Sequence, residues 1–114
     1  MDLAELYQDQ ENSAAAEPLY KRAIAIVEKS QGPDHPNLAA SLVSLAVLYE
    51  NDGNYSSAEP LYKRALAIYE TAFGPDSVRV AATLEEVAAL LRKRGENIEA
   101  EKMEFRARSI RARQ

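Results

Sequence analysis

The chain contains no cysteine. That absence removes disulfides, thiolate metal sites and cysteine nucleophiles in one step. A cysteine-free chain fits a reducing compartment, and the expected setting is cytoplasmic. No apolar run approaches the ~20 residues of a bilayer span, so no membrane partner is expected. Asp2 and Glu5 stand where a secretory signal would carry cations, so no signal peptide is expected. Histidine is almost as scarce: His35 is the single copy, set between Asp34 and Pro36 in a linker. A zinc site needs several nitrogen or sulfur ligands, so His35 reads as a helix-start residue that shapes a turn.

Catalytic patterns are missing too. There is no Walker loop and no glycine-rich dinucleotide loop; Gly53 and Gly95 read as isolated helix terminators. Ser30, Ser41 and Ser44 have no base near them in sequence. Glu85 and Glu86 are adjacent, so on a helix they point in two directions and do not make a ready carboxylate pair. These readings predict no catalytic residue, no cofactor and no metal, hence no enzyme. Aromatics make up 7% of the chain, alanine is plentiful, and four glycines and five prolines are too few for a loop-rich fold. That mix favours close-packed helices over a β core.

The net charge of −4 is unevenly placed. Residues 1–57 carry three basic and nine acidic side chains, and residues 58–114 carry eleven basic and nine acidic ones. A nucleic-acid footprint would need a denser basic stripe, so no nucleic-acid partner is expected.

The chain repeats itself. The eight residues A-E-P-L-Y-K-R-A begin at Ala16 and again, letter for letter, at Ala58. Aligning residues 16–51 with 58–93 gives nineteen identities in 36 pairs, including Gly32/Gly74, Pro33/Pro75 and Asp34/Asp76. This is an internal repeat with a 42-residue period. It extends with decay in both directions. Leu3, Ala4, Leu6 and Tyr7 match Leu45, Ala46, Leu48 and Tyr49, and Ala100, Glu101, Arg106, Ala107 and Ile110 match Ala58, Glu59, Arg64, Ala65 and Ile68.

Within a unit the periodicity is helical. Leu42, Leu45, Ala46, Leu48 and Tyr49 form one apolar stripe, and Ala58, Leu61, Tyr62, Ala65, Leu66 and Ile68 form the next. Between them Gly53 suits the left-handed position after a helix and Asn54 a cap. The pattern predicts helices near residues 1–10, 13–31, 36–52, 55–73, 78–94 and 97–113. Pro18 and Pro60 fall near their helix starts, where a mild irregularity is expected.

The pattern L-x-x-L-A-x-L-Y-x-x-x-G-x-Y-x-x-A-E-P-L-Y-x-x-A-L, from Leu42 to Leu66, resembles the tetratricopeptide repeat. The 42-residue spacing and the G-P-D-H-P linker from Gly32 to Pro36 resemble the kinesin-light-chain type. The resemblance implies an all-α solenoid of three helix pairs, about six antiparallel helices in a right-handed superhelix, with the first helix truncated. The single repeat domain would span 1–114, with units near 1–35, 36–77 and 78–114, the last closing in a polar cap. Glu104 and Arg108, at the places of Tyr62 and Leu66, mark that cap.

The resemblance also implies a function: a non-catalytic protein-interaction module that holds a peptide or partner surface in a concave groove lined by the first helix of each pair. By position within the repeat, the groove would present Glu5, Gln8 and Asp9 from the first unit, Ala40, Val43, Val47, Glu50 and Asn51 from the second, and Ala82, Glu85, Ala89, Arg92 and Lys93 from the third. Those positions run from acidic at one end to basic at Arg92 and Lys93. Where kinesin-light-chain repeats carry asparagines in an L-N-N-L-A segment, this chain reads L-V-S-L-A from Leu42 and L-E-E-V-A from Leu84. The alternative readings are a self-assembling spacer that associates through its N-terminal edge as a homo-oligomer, and a piece of a larger signalling or scaffold protein.

Overall fold

Glycines and short polar residues punctuate the chain at regular intervals, and helices fill the space between them. The computed structural model describes residues 13–114. The described residues form five helices: α1 Ser13–Gln31, α2 Pro36–Asn51, α3 Tyr55–Phe73, α4 Val78–Lys93 and α5 Asn97–Ala112. These agree with the periodicity to within a residue at each end. The helix expected near residues 1–10 lies outside the described residues, and among those described there is no strand.

The two kinds of turn alternate as the repeat dictates. Turns α1–α2 and α3–α4 open on Gly32 and Gly74, with φ of 96° and 92°. A side chain with a Cβ resists such angles, and glycine adopts them freely. The helix that follows is capped the same way in both units. His35 Nδ1 accepts the Asn37 N–H at 3.0 Å, and Ser77 Oγ accepts the Arg79 N–H at 3.1 Å. His35 is thus the helix-start residue its position implied. Asn54 sits at the cap position of α3 without a side-chain cap hydrogen bond, contrary to expectation. Its ψ of 70° departs from the extended geometry that His35 and Ser77 adopt, and a side-chain cap needs that geometry. Helices α1 and α3 run through Pro18 and Pro60 without a break.

Helices adjacent in sequence pack on each other, α1 on α2 through to α4 on α5. Alanines set the closeness of that packing. Ala46, Ala58, Ala88 and Ala100 meet in one buried cluster, where Tyr62 and Leu90 fill the space between backbones. A second cluster joins Leu38, Ala39 and Leu42 of α2 to Ala65 and Ile68 of α3, Val80, Ala81 and Leu84 of α4, and Ala107 and Ile110 of α5. One stripe from each helix is therefore covered by its neighbours, which is how a repeat array replaces a globular core. The fold is an α-solenoid of stacked helix pairs.

The duplicated octapeptide does more than pack. Its Lys and Arg read as solvated residues, but Lys21 and Lys63 reach back one turn to Glu17 and Glu59 at 3.0 and 2.8 Å. Arg64 reaches Glu28 at 3.5 Å, and one unit later Arg106 reaches Glu70 at 2.9 Å. The same ion pair thus ties α1 to α3 and α3 to α5, in register with the repeat. At the place of Glu28 and Glu70 the next unit has Ala112, and the ladder stops there.

The expected polar cap on α5 is mixed. Glu104 binds inward to Arg92, while Ile98 and Phe105, seven residues apart, are exposed.

Candidate functional site: the face between α2 and α4

Helices α2 and α4 are the first helices of their pairs and lie side by side, sharing the cluster of Leu38, Leu42, Val80 and Leu84. Two parallel neighbours present opposite flanks to each other, and this decides which polar residues face the groove between them. From α2 the flank with Ala40 and Val43 faces α4. From α4 it is Arg79, Ala82, Thr83 and Glu86 that face α2, with Tyr69 of α3 behind them. Together they line an open pocket of about 260 Å³.

The walls are mostly small or apolar. Val43 is half-buried against both core clusters, and Ala40 stays exposed at the rim. Thr83 is buried and donates its hydroxyl proton to the Arg79 carbonyl at 2.9 Å. Charge sits at the two ends. Arg79 and Glu86 are two turns apart on α4, ~10 Å along the axis. The Arg79 guanidinium lies over the Phe73 ring, 5.5 Å from its centre. Glu86 is half-buried and, among the described residues, its carboxylate has no hydrogen bond or ion pair. Burial pushes its pKa up, and the nearby Glu50 and Glu85 carboxylates push the same way.

Beyond the pocket, Glu50 ties three helices together. It accepts the Tyr62 hydroxyl at 2.7 Å and the Lys93 ammonium at 2.7 Å. Tyr62 is held far above the ordinary phenol range by burial first, then by its bond to Glu50. Lys93 is raised by the same carboxylate.

The residues assigned by repeat position divide accordingly. Ala40, Val43 and Ala82 line the pocket; Val47 is half-buried beside it, and Glu50 and Lys93 pair at its margin. Asn51 ends α2 and is exposed, as is Ala89. Glu85 and Arg92 point away from α2, onto α5. Arg111 binds Glu85 through two hydrogen bonds of 2.9 and 2.8 Å, and Arg92 binds Glu104 through two of 2.8 and 2.6 Å. These contacts lower the Glu85 and Glu104 pKa values. The expected gradient toward a basic end is neutralised, because Arg92 and Lys93 both have acidic partners. Glu5, Gln8 and Asp9 lie outside the described residues.

Sequence reasoning missed Arg79, Thr83, Glu86 and Tyr69. The first three stand with Ala82 at i, i+3, i+4 and i+7, so their shared face was legible. That this face, and not the one through Glu85, turns toward α2 was not. No cluster of His, Asp or Glu among the described residues could hold a metal.

Stacked helix pairs with a groove on their first helices define a class of protein, and sequence comparison names it. The tetratricopeptide repeat family model matches residues 1–71 and again 45–113. The chain belongs to the tetratricopeptide repeat family, a general type of protein-interaction module that is not generally catalytic. A comparison with curated proteins finds no match. Among solved structures it is similar to BtubC (BKLC) from P. vanneervenii, at 26% identity and a TM-score of 0.89 over 96% of this chain and 44% of that one. It is also similar to a Podosopora anserina putative kinesin light chain with nearly identical TPR-like repeats, at 26% identity and a TM-score of 0.85 over 96% of this chain and 52% of that one. The chain therefore spans about half the length of these solved proteins, and its repeats are of the kinesin-light-chain type. No described helix is long and apolar enough to cross a membrane.

Proposed function

We propose that this chain is a non-catalytic binding module that takes a peptide segment of a partner protein along the face between α2 and α4. The supporting observation is the open pocket between Ala40 and Val43 on one side and Ala82 and Glu86 on the other. Small residues there leave room for an incoming chain, the apolar walls give it surface to bury, and the charged ends give it orientation. The volume of about 260 Å³ lies below the ~300–1,000 Å³ of small-molecule sites, so it suits one side chain of a longer ligand.

The test is Ala40→Arg. Ala40 is exposed, so the substitution leaves the core untouched while its long side chain occupies the pocket. Peptides selected from a random display library on the wild-type chain should lose at least tenfold in affinity for the variant, with the helical circular dichroism unchanged. Peptides that bind both proteins equally would remove this face as the site.

A further inference from the structure

Glu86 is at odds with its surroundings. It is half-buried on α4, faces the pocket, and has no ion-pair or hydrogen-bond partner among the described residues. Every other acid near it is matched. Glu50 has Tyr62 and Lys93, and Glu85 has Arg111. Burying a charge without a counter-charge opposes folding. A residue that breaks the local rules without compensation inside the fold is a candidate for compensation from outside it.

The cations of the region cannot supply that compensation as they stand. Lys93 is two turns further along α4, and its ammonium is on Glu50. Arg79 is two turns back, at the far end of the pocket and over the Phe73 ring. Between Arg79 and Glu86 run the small and apolar walls of Ala40, Val43 and Ala82, with Tyr69 behind. A long aliphatic stem lies well against such walls, and its charged head then reaches the acid at the end.

Resting on the reading of this face as a peptide site, we infer that its ligand is a segment bearing a lysine or arginine, whose stem lies between Val43 and Ala82 and whose cationic head pairs with Glu86. Arg79 gives the pocket direction. A second cation beside it is repelled, while a peptide carbonyl or carboxylate is attracted, so the segment binds in one orientation. A charge-assisted bond in a partly desolvated site contributes enough to change affinity by about tenfold or more.

The experiment begins with a random heptapeptide display library selected on the full 114-residue chain. The enriched sequences are then synthesised and titrated by fluorescence anisotropy. The expected peptides carry Lys or Arg at one fixed position. Replacing it with norleucine, which keeps the stem and removes the charge, weakens binding about tenfold. Glu86→Gln weakens the parent peptide by a similar factor and leaves the norleucine peptide unchanged, so the double-mutant cycle closes on this pair. Peptides that Ala40→Arg displaces but that carry no basic residue, or that ignore Glu86→Gln, overturn the inference and leave the peptide-site reading standing. Peptides that Ala40→Arg does not displace, or no enrichment at all, overturn both.

Discussion

Arg92 and Glu104 grip each other through two hydrogen bonds of 2.8 and 2.6 Å, and they occupy the places that Glu50 and Tyr62 occupy one unit earlier. The same pair of positions joins first helix to second helix in both units: once by a buried phenol donating to a carboxylate at 2.7 Å, once by a guanidinium on a carboxylate. The geometry of the repeat survives while its chemistry changes. The inner unit has neighbours on both sides and buries a Tyr. At Glu104 the same position is more open, and a paired charge stands there with less desolvation than a buried site would impose.

The Arg92–Glu104 pair is exposed, so it should act as an interchangeable clasp. Reversing Arg92 to Glu alone should lower the melting temperature, because two carboxylates would then face each other. Adding Glu104→Arg should restore most of the loss. Thermal melts of the wild type, both single variants and the double variant test this. A double variant no better than the worse single would show that the pair does not couple.

Tyr62 is 1% exposed and its hydroxyl donates to Glu50. Tyr62→Phe keeps the ring and removes the bond, so it should cost about 1 kcal/mol. Tyr62→Ala also opens a cavity among Ala46, Ala58 and Val87, and should cost about 3–5 kcal/mol. Urea unfolding checks both values.

His35 and Ser77 cap equivalent helices through one N–H each. His35→Ser should therefore keep the cap, while His35→Ala should lose about 1 kcal/mol. A His35→Ala variant as stable in urea as the wild type would show that the imidazole bond contributes nothing.

Glu86 makes a pH prediction whose sign follows from its raised pKa. An acid with a folded-state pKa above its unfolded value favours the fold when protonated. That contribution is complete below the unfolded pKa and disappears as the pH rises through the folded one. At neutral pH the bare carboxylate therefore opposes folding, and Glu86→Gln should melt at a higher temperature than the wild type. The difference should shrink as the pH falls to about 4, near the ordinary glutamate pKa. Melts from pH 4 to 8 measure it, and a wild type more stable than Glu86→Gln at pH 7 would contradict the placement of this side chain.

The architecture was legible because a repeat states its own packing twice. Ala16, Leu19, Tyr20 and Ala23 recur as Ala58, Leu61, Tyr62 and Ala65, and such recurrence identifies helix pairs, turn glycines and buried alanines. The absence of cysteine, the lone histidine and the helical spacing are likewise properties of the sequence alone. Which side of a helix faces which neighbour was not. Glu85 and Glu86 differ by one position, or ~100° around α4. That rotation sends Glu85 to Arg111 on α5 and Glu86 into the pocket with Val43. Helical periodicity sets which residues share a face, and only the docking of α4 between α2 and α5 decides where each face looks. The repeat was written in the sequence because packing is periodic. The partnering of Glu50 with Lys93, and the lack of a partner for Glu86 among the described residues, came from the tertiary structure, because charges meet across helices far apart in the chain.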